Sequence, residues 1–181
     1  MKFLLLSFLI SFNSPEVINN EYVLNKNEIL NEFKTILNDY RKVNGLNELE
    51  IDYGLKLFCE SHSKFMSINE KVTHGEGDNL FSKRALREFG DVYGGENCAE
   101  IIVPKIKSLP SIKWNVNELN PIMDRLLNGT ATSHDFAMYV FILWKNSEGH
   151  NKLLINPNVK RFYLSFDKNK TFYYFEYVSL T

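Results

Sequence analysis

The C-terminal end of the chain constrains the fold most. The stretch "VKRFYLSF" (residues 159–166) alternates, with Phe162, Leu164 and Phe166 on one side. "DKNK" (167–170) is a turn by composition, and "TFYYFEYVSL" (171–180) is aromatic and β-prone. A period of two on either side of a polar turn predicts an antiparallel hairpin. The simplest role for the aromatic residues Phe172 to Tyr177 is the core face of a sheet.

Upstream of the hairpin the period changes to that of a helix. Ile29, Leu30, Phe33, Ile36, Leu37 and Tyr40 recur at helical spacing, and Asn44-Gly45 ends that run. Asp52 predicts the N-cap of a second helix, with Leu55, Phe58, Cys59, His62, Phe65 and Met66 sharing one face. "VTHGEGDN" (72–79) reads as a loop, and "LFSKRALREFG" (80–90) as a short helix stopped by Gly90. Residues 103–132 hold Pro104, Pro110 and Pro121 and read as an insertion with a short helix around 122–127. "HDFAMYVFILWKNSEGH" (134–150) begins with Ser133 as its cap, and its middle is apolar all round. Periodicity alone does not separate a buried helix from a buried strand there. Helices first and strands last predict an α+β layered domain.

At 181 residues the chain is long enough for one domain with a substantial core. Aromatic residues make up 14%, which excludes a disordered chain. Net charge is −1 and no basic run stands out, so nucleic acid is excluded as a partner on electrostatic grounds. "MKFLLLSFLISFNS" opens with Lys2 and an apolar run from Phe3 to Phe12. That run suits a secretory signal over residues 1–20 better than a buried N-terminal helix, and it is too short to span a bilayer. In an exported protein the sequons at Asn128 and Asn169 become glycosylation candidates, and Cys59 and Cys98 have a single possible pairing.

The chemistry concentrates in "VYGGENCAEI" (92–101). Two glycines beside Glu96 and Asn97 predict a tight turn bent around a site. Cys98 follows directly, as a staple, a nucleophile or core filler. Neighbouring Glu96 and Glu100 would raise its pKa, which disfavours a cysteine hydrolase.

Several further segments carry a family resemblance. "ILNEFKTILNDYRKVNGLNELEIDYGLKLFCESHSKFM", then "VTH" (72–74), Arg84, Gly90, "GEN" (95–97) and "LWKNSEGHNKLLINPNV" follow one another in a fixed order. In that order they resemble the CAP superfamily, or SCP domain: cysteine-rich secretory proteins, antigen 5 and pathogenesis-related proteins of class one. The match is nearest to the compact branch common in bacteria. It spans residues 29–181 and places a single CAP/SCP domain at 26–181, interrupted at 103–132.

The resemblance implies a three-layer α-β-α sandwich with an antiparallel central sheet, usually secreted. It implies a cleft with two histidines and two glutamates, here His74, His150 and Glu96, with Glu148 in place of the second glutamate beside Ser147. Asn97 would brace the Glu96 loop. The resemblance also brings the Cys59 and Cys98 segments together, so a disulfide is expected rather than two buried thiols. It would close a loop of about 40 residues and contribute ~3–4 kcal/mol.

Two imidazoles and one or two carboxylates suit a divalent metal such as zinc, with His74, His150, Glu96 and Glu148 as ligands. The same groups suit general acid–base work, making Glu96, His74 and His150 the catalytic candidates of a metal-assisted hydrolase or protease. The bland reading is a hydrogen-bonded cluster that pins loops together. The expectation is a secreted, non-enzymatic binding protein. Its partners would be a sterol, a fatty acid or an extracellular protein, with specificity set by residues 103–132. His62 reads as a satisfied core histidine, His134 as a surface residue and Trp144 as core. Arg84 reads equally as a solvated helix residue or as a partner of the "GEN" segment.

Overall fold

A computed structural model of the protein describes residues 24–102, 116–170 and 172–181. The elements run α1 (Lys26–Val43), β1 (Glu50–Ile51), α2 (Lys56–Asn69), α3 (Phe81–Phe89), β2 (Gly94–Ile102), α4 (Val116–Asn128), α5 (Ser133–Lys145), α6 (Glu148–Leu154), β3 (Arg161–Lys168) and β4 (Phe172–Leu180). Single 3-10 turns at Tyr53–Leu55 and Gly77–Asn79 precede α2 and α3. The signal segment and the proline-rich part of the expected insertion lie outside the described residues.

The strands form one sheet in the order β1-β3-β4-β2. β3 and β4 form the expected hairpin, and β2 pairs antiparallel with β4 along its whole length. The expectation of a wholly antiparallel sheet is corrected: β1 pairs parallel with β3. A strand of two residues has no periodicity to read, so its direction is visible only in the fold.

Helices cover both faces of the sheet, as the sandwich requires. On one side α1 and α5 pack together over an aromatic core. Phe33 is its centre, with ring centroids 5.6 Å from Tyr177, 5.7 Å from Trp144 and 6.0 Å from Phe162. On the other side α2 lies across β3 and β4. Its Ser63 hydroxyl meets that of Ser165 on β3 at 2.9 Å. The strands alternate, so Phe162, Leu164 and Phe166 share the α1 side while Tyr163 and Ser165 face α2.

Local signals set the helix ends. The Asn25 side chain accepts from the backbone of Asn27 and Glu28 and caps α1. Asp52 caps the 3-10 turn that leads into α2 rather than α2 itself. The ambiguous apolar run resolves as α5, and its cap is Thr132 rather than Ser133. Thr132 and Asp135 exchange side-chain and backbone hydrogen bonds in a capping box, while the Ser133 hydroxyl donates to Glu28. α4 begins at Val116, earlier than expected, and tolerates Pro121 in its second turn for the loss of one backbone hydrogen bond.

Arg41 ties the end of α1 to α6. It is fully buried, and it donates from Nε to the Asn47 carbonyl and from NH1 to those of Leu154 and Asn156. This clamp fixes the C-terminal end of the short helix that carries His150.

The expected disulfide is also corrected, because Cys59 and Cys98 are both free and buried. Cys59 Sγ sits 4.0 Å from the Tyr163 carbonyl on β3, whereas Cys98 is on β2. β4 lies between those strands.

Candidate functional site

The "GGEN" segment is the start of β2, not a turn, and this corrects the sequence reading. Gly94 pairs with Leu180 and the ladder continues to Ile102 opposite Phe172. The glycines serve close approach. A Cβ at Gly94 would collide with the Ser179 carbonyl, and one at Gly95 would press on Leu153 of α6.

Strand alternation then divides the segment's side chains. Glu96 points to the α3 side and Asn97 to the α6 side. Asn97 is a brace, as expected, but for a different segment: its amide donates to the His150 carbonyl at 3.1 Å. His150 therefore reaches the end strand from one side of the sheet.

His74 reaches it from the other side, on the loop between α2 and α3. That loop is pinned at both ends. His62 Nε2 donates to the Thr73 carbonyl at 2.8 Å, and the Phe81 amide donates to the His74 carbonyl at 3.1 Å. Gly75 has φ +85° and no room for a Cβ beside the Asn79 carbonyl, so only glycine suits the turn after His74. His74 Nδ1 donates to Glu96 Oε1 at 3.1 Å. The rings of His74 and His150 stand 6.4 Å apart. Together with Glu96, Asn97, Lys152 and Asn156 they line an open cleft of about 430 Å³.

Behind the cleft is a buried network that sequence reasoning largely missed. Arg84 of α3 donates from NH2 to Glu96 Oε2 at 2.6 Å and from Nε to the Asn79 carbonyl at 3.0 Å. Its NH1 stands 3.6 Å from Oε1 of Glu176 on β4. Its guanidinium also lies 4.8 Å from the Phe58 ring centroid. Glu176 pairs with Cys98 in the ladder, which puts it on the Glu96 side of the sheet. The one available signal was a single carboxylate inside an otherwise aromatic strand.

Electrostatics follow from this packing. Burial alone would raise Glu96, but the hydrogen bond from His74, the neighbouring Glu176 carboxyl and the charge of Arg84 outweigh it and hold Glu96 below the usual carboxylate range. Complete burial, then the Glu96 charge, push Glu176 well above the usual carboxylate range. His74 is raised by its hydrogen bond to Glu96. His150 is lowered by burial and by His74, and His62 by burial and Arg84. Burial, Glu96 and Glu176 keep Cys98 a protonated thiol. No activated nucleophile is present among these groups.

The remaining candidates are placed as follows. Glu148 does not line the cleft; it is exposed and pairs with Lys152 at 2.9 Å. His62, Glu96 and Cys98 place one ligand atom each within 4.8 Å of one another, all buried. The protonated thiol and the adjacent Arg84 charge make that trio a poor cation site. Asn128 is exposed at the end of α4. The Asn169 amide donates to the Ser67 carbonyl and to the Tyr174 hydroxyl. His134 is on the surface beside Glu32. Among the described residues no helix is long and apolar enough to cross a membrane.

Comparison with known proteins agrees with this architecture. Residues 35–180 match the family described as CAP, the cysteine-rich secretory protein family. An extracellular protein containing an SCP domain from Bacillus anthracis superposes with a TM-score of 0.55 at 20% identity. That alignment covers 84% of this chain, which spans 41% of the Bacillus protein. An outer surface protein from Borrelia burgdorferi gives a TM-score of 0.55 at 17% identity, covering 87% of this chain and 96% of that one. Among curated proteins no sequence matches significantly.

Proposed function

The chain belongs to the cysteine-rich secretory protein (CAP) family, and from that premise we propose that it is a non-enzymatic binding protein acting outside the cell. Its working site on this reading is the cleft between His74 and His150, and the bound species is a divalent cation such as Zn²⁺. The observation that carries this is the His74–Glu96 hydrogen bond. A histidine that gives Nδ1–H to a carboxylate keeps Nε2 as its ligand atom, with ring and tautomer fixed, as metal-binding histidines commonly do. Glu96 thus serves as the support of His74 rather than as a ligand. His150, lowered by burial, offers a neutral ring nitrogen across the cleft. The donor set therefore fits a borderline cation that accepts imidazole, with water completing its shell.

Hydrolysis at a metal there would draw on a general base beside the metal-bound water. Glu96, the base of the hydrolase reading, has both oxygens taken, one by His74 and one by Arg84. That favours binding over turnover. Export is supported by the apolar run after Lys2 and by the extracellular and outer-surface descriptions of the structural relatives.

Zn²⁺ titration calorimetry on the full chain and on the His74→Ala, His150→Ala double variant tests the proposal, with hydrolysis of ester and peptide substrates assayed alongside. We expect binding to the parent, loss in the double variant and no turnover. Absence of binding to the parent would overturn the metal reading, and metal-dependent turnover would overturn the non-enzymatic one.

A further inference from the structure

We propose that Glu176 is the second carboxylate of this site, a positioning residue that, through Arg84, fixes Glu96 and hence the ring of His74. This rests on the reading of His74 and His150 as the working groups of the cleft.

The argument starts from cost. Glu176 is 0% exposed and lies in the ladder between Cys98 of β2 and Ser165 of β3, on the face that α2 and α3 cover. Burying a carboxyl is costly, and replacing buried polar clusters with apolar groups of similar volume is often neutral or stabilising. A purely structural strand gains nothing from a glutamate here. Neither of its oxygens has a donor in good hydrogen-bonding geometry. What it faces is Arg84 NH1 at 3.6 Å and, through the same guanidinium, Glu96.

Arg84 is where the two carboxyls meet. Its planar fork offers nitrogens in fixed directions. One is held by the Asn79 carbonyl, one by Glu96, and the third points to Glu176. Side-chain exposure is 0% at Glu176, 12% at Arg84 and 1% at Glu96, against 52% at His74. Three buried groups thus back one that is open to the cleft. Without Glu176 the Arg84 fork loses the carboxyl that NH1 faces, and its hold on Glu96 loosens. The effect expected at the surface is a His74 ring whose tautomer is no longer fixed.

The test uses the full chain with Glu176→Leu and Glu176→Gln, and Glu176→Met should the leucine variant fail to fold. The first readout is the ¹⁵N shift of His74 at fixed pH without metal, which reports the Nδ1–H tautomer and is independent of the metal reading. The second is Zn²⁺ affinity. We expect the apolar variant to keep or raise Tm, to mix the His74 tautomers and to bind Zn²⁺ about 10-fold more weakly, the usual scale for loss of an outer-shell partner. Glutamine keeps the shape and the polar contacts and should restore the parent tautomer. An apolar variant that folds with an unchanged His74 spectrum overturns the proposal, whether or not Zn²⁺ binds. Unchanged tautomer and unchanged affinity together would make Glu176 a filler.

Discussion

The two faces of one sheet have divided the work of this molecule. On the α1–α5 face, Phe33, Phe162, Trp144 and Tyr177 pack ring against ring. On the α2–α3 face, the alternate residues of the same strands supply Ser165, Cys98, Glu96 and Glu176, met by Ser63, His62 and Arg84. Both faces are buried, yet the paired carboxyls Glu96 and Glu176 lie on the second. Apolar packing gives non-directional stability in proportion to area. Buried polar networks give direction at a cost in stability. The difference teaches that His74 is positioned by the face that carries the buried polar network, while the aromatic face supplies the bulk of the core.

Breaking either face should therefore give different signatures. The largest effects are expected from two substitutions of similar energetic scale. Phe33→Ala removes the centre of the aromatic core and should cost about 3–5 kcal/mol in denaturant unfolding. Where the variant is folded, His74 should be unperturbed. Arg84→Ala leaves two carboxyls buried without their cation and should cost roughly 3–5 kcal/mol. It should also mix the His74 tautomers, which Phe33→Ala should not.

A smaller effect separates the two carboxylate-linked groups by pH. His74 is raised above its ordinary 6.5, so its contribution is full below 6.5 and is lost as pH rises through its folded value. Glu96 is lowered below 4.5, so its contribution is present above 4.5 and is lost as pH falls through its folded value. The stability gap between the parent and Glu96→Gln should be widest between pH 4.5 and 6.5. It should narrow on both sides, and thermal melts across that range would check it. The Phe33 face has no such group, so the Phe33→Ala penalty should be nearly flat over the same range.

How much of this was legible in the sequence follows the same division. The apolar face was readable, because Phe33 on α1 and Phe162 on β3 obey helix and strand periods that survive in one dimension. The family order of "VTH", "GEN" and the tryptophan–histidine segment located His74, Glu96 and His150, and all three converge on one cleft. The rest depended on strand order. Glu176 lies 80 residues beyond Glu96 and becomes its neighbour only because β4 pairs with β2. Gly94 and Gly95 looked like a turn because glycine marks both turns and close approaches, and the Ser179 carbonyl that decides between them is distant in sequence.

The central claim is that His74 depends on Glu96 and not on the bulk of the core. It is tested most directly by comparing Zn²⁺ affinity, by calorimetry at a temperature where both are folded, in Phe33→Leu and Glu96→Gln. The account expects Phe33→Leu to bind as the parent does and Glu96→Gln to bind at least about 10-fold more weakly. Equal weakening in the two variants, or none in Glu96→Gln, would contradict it.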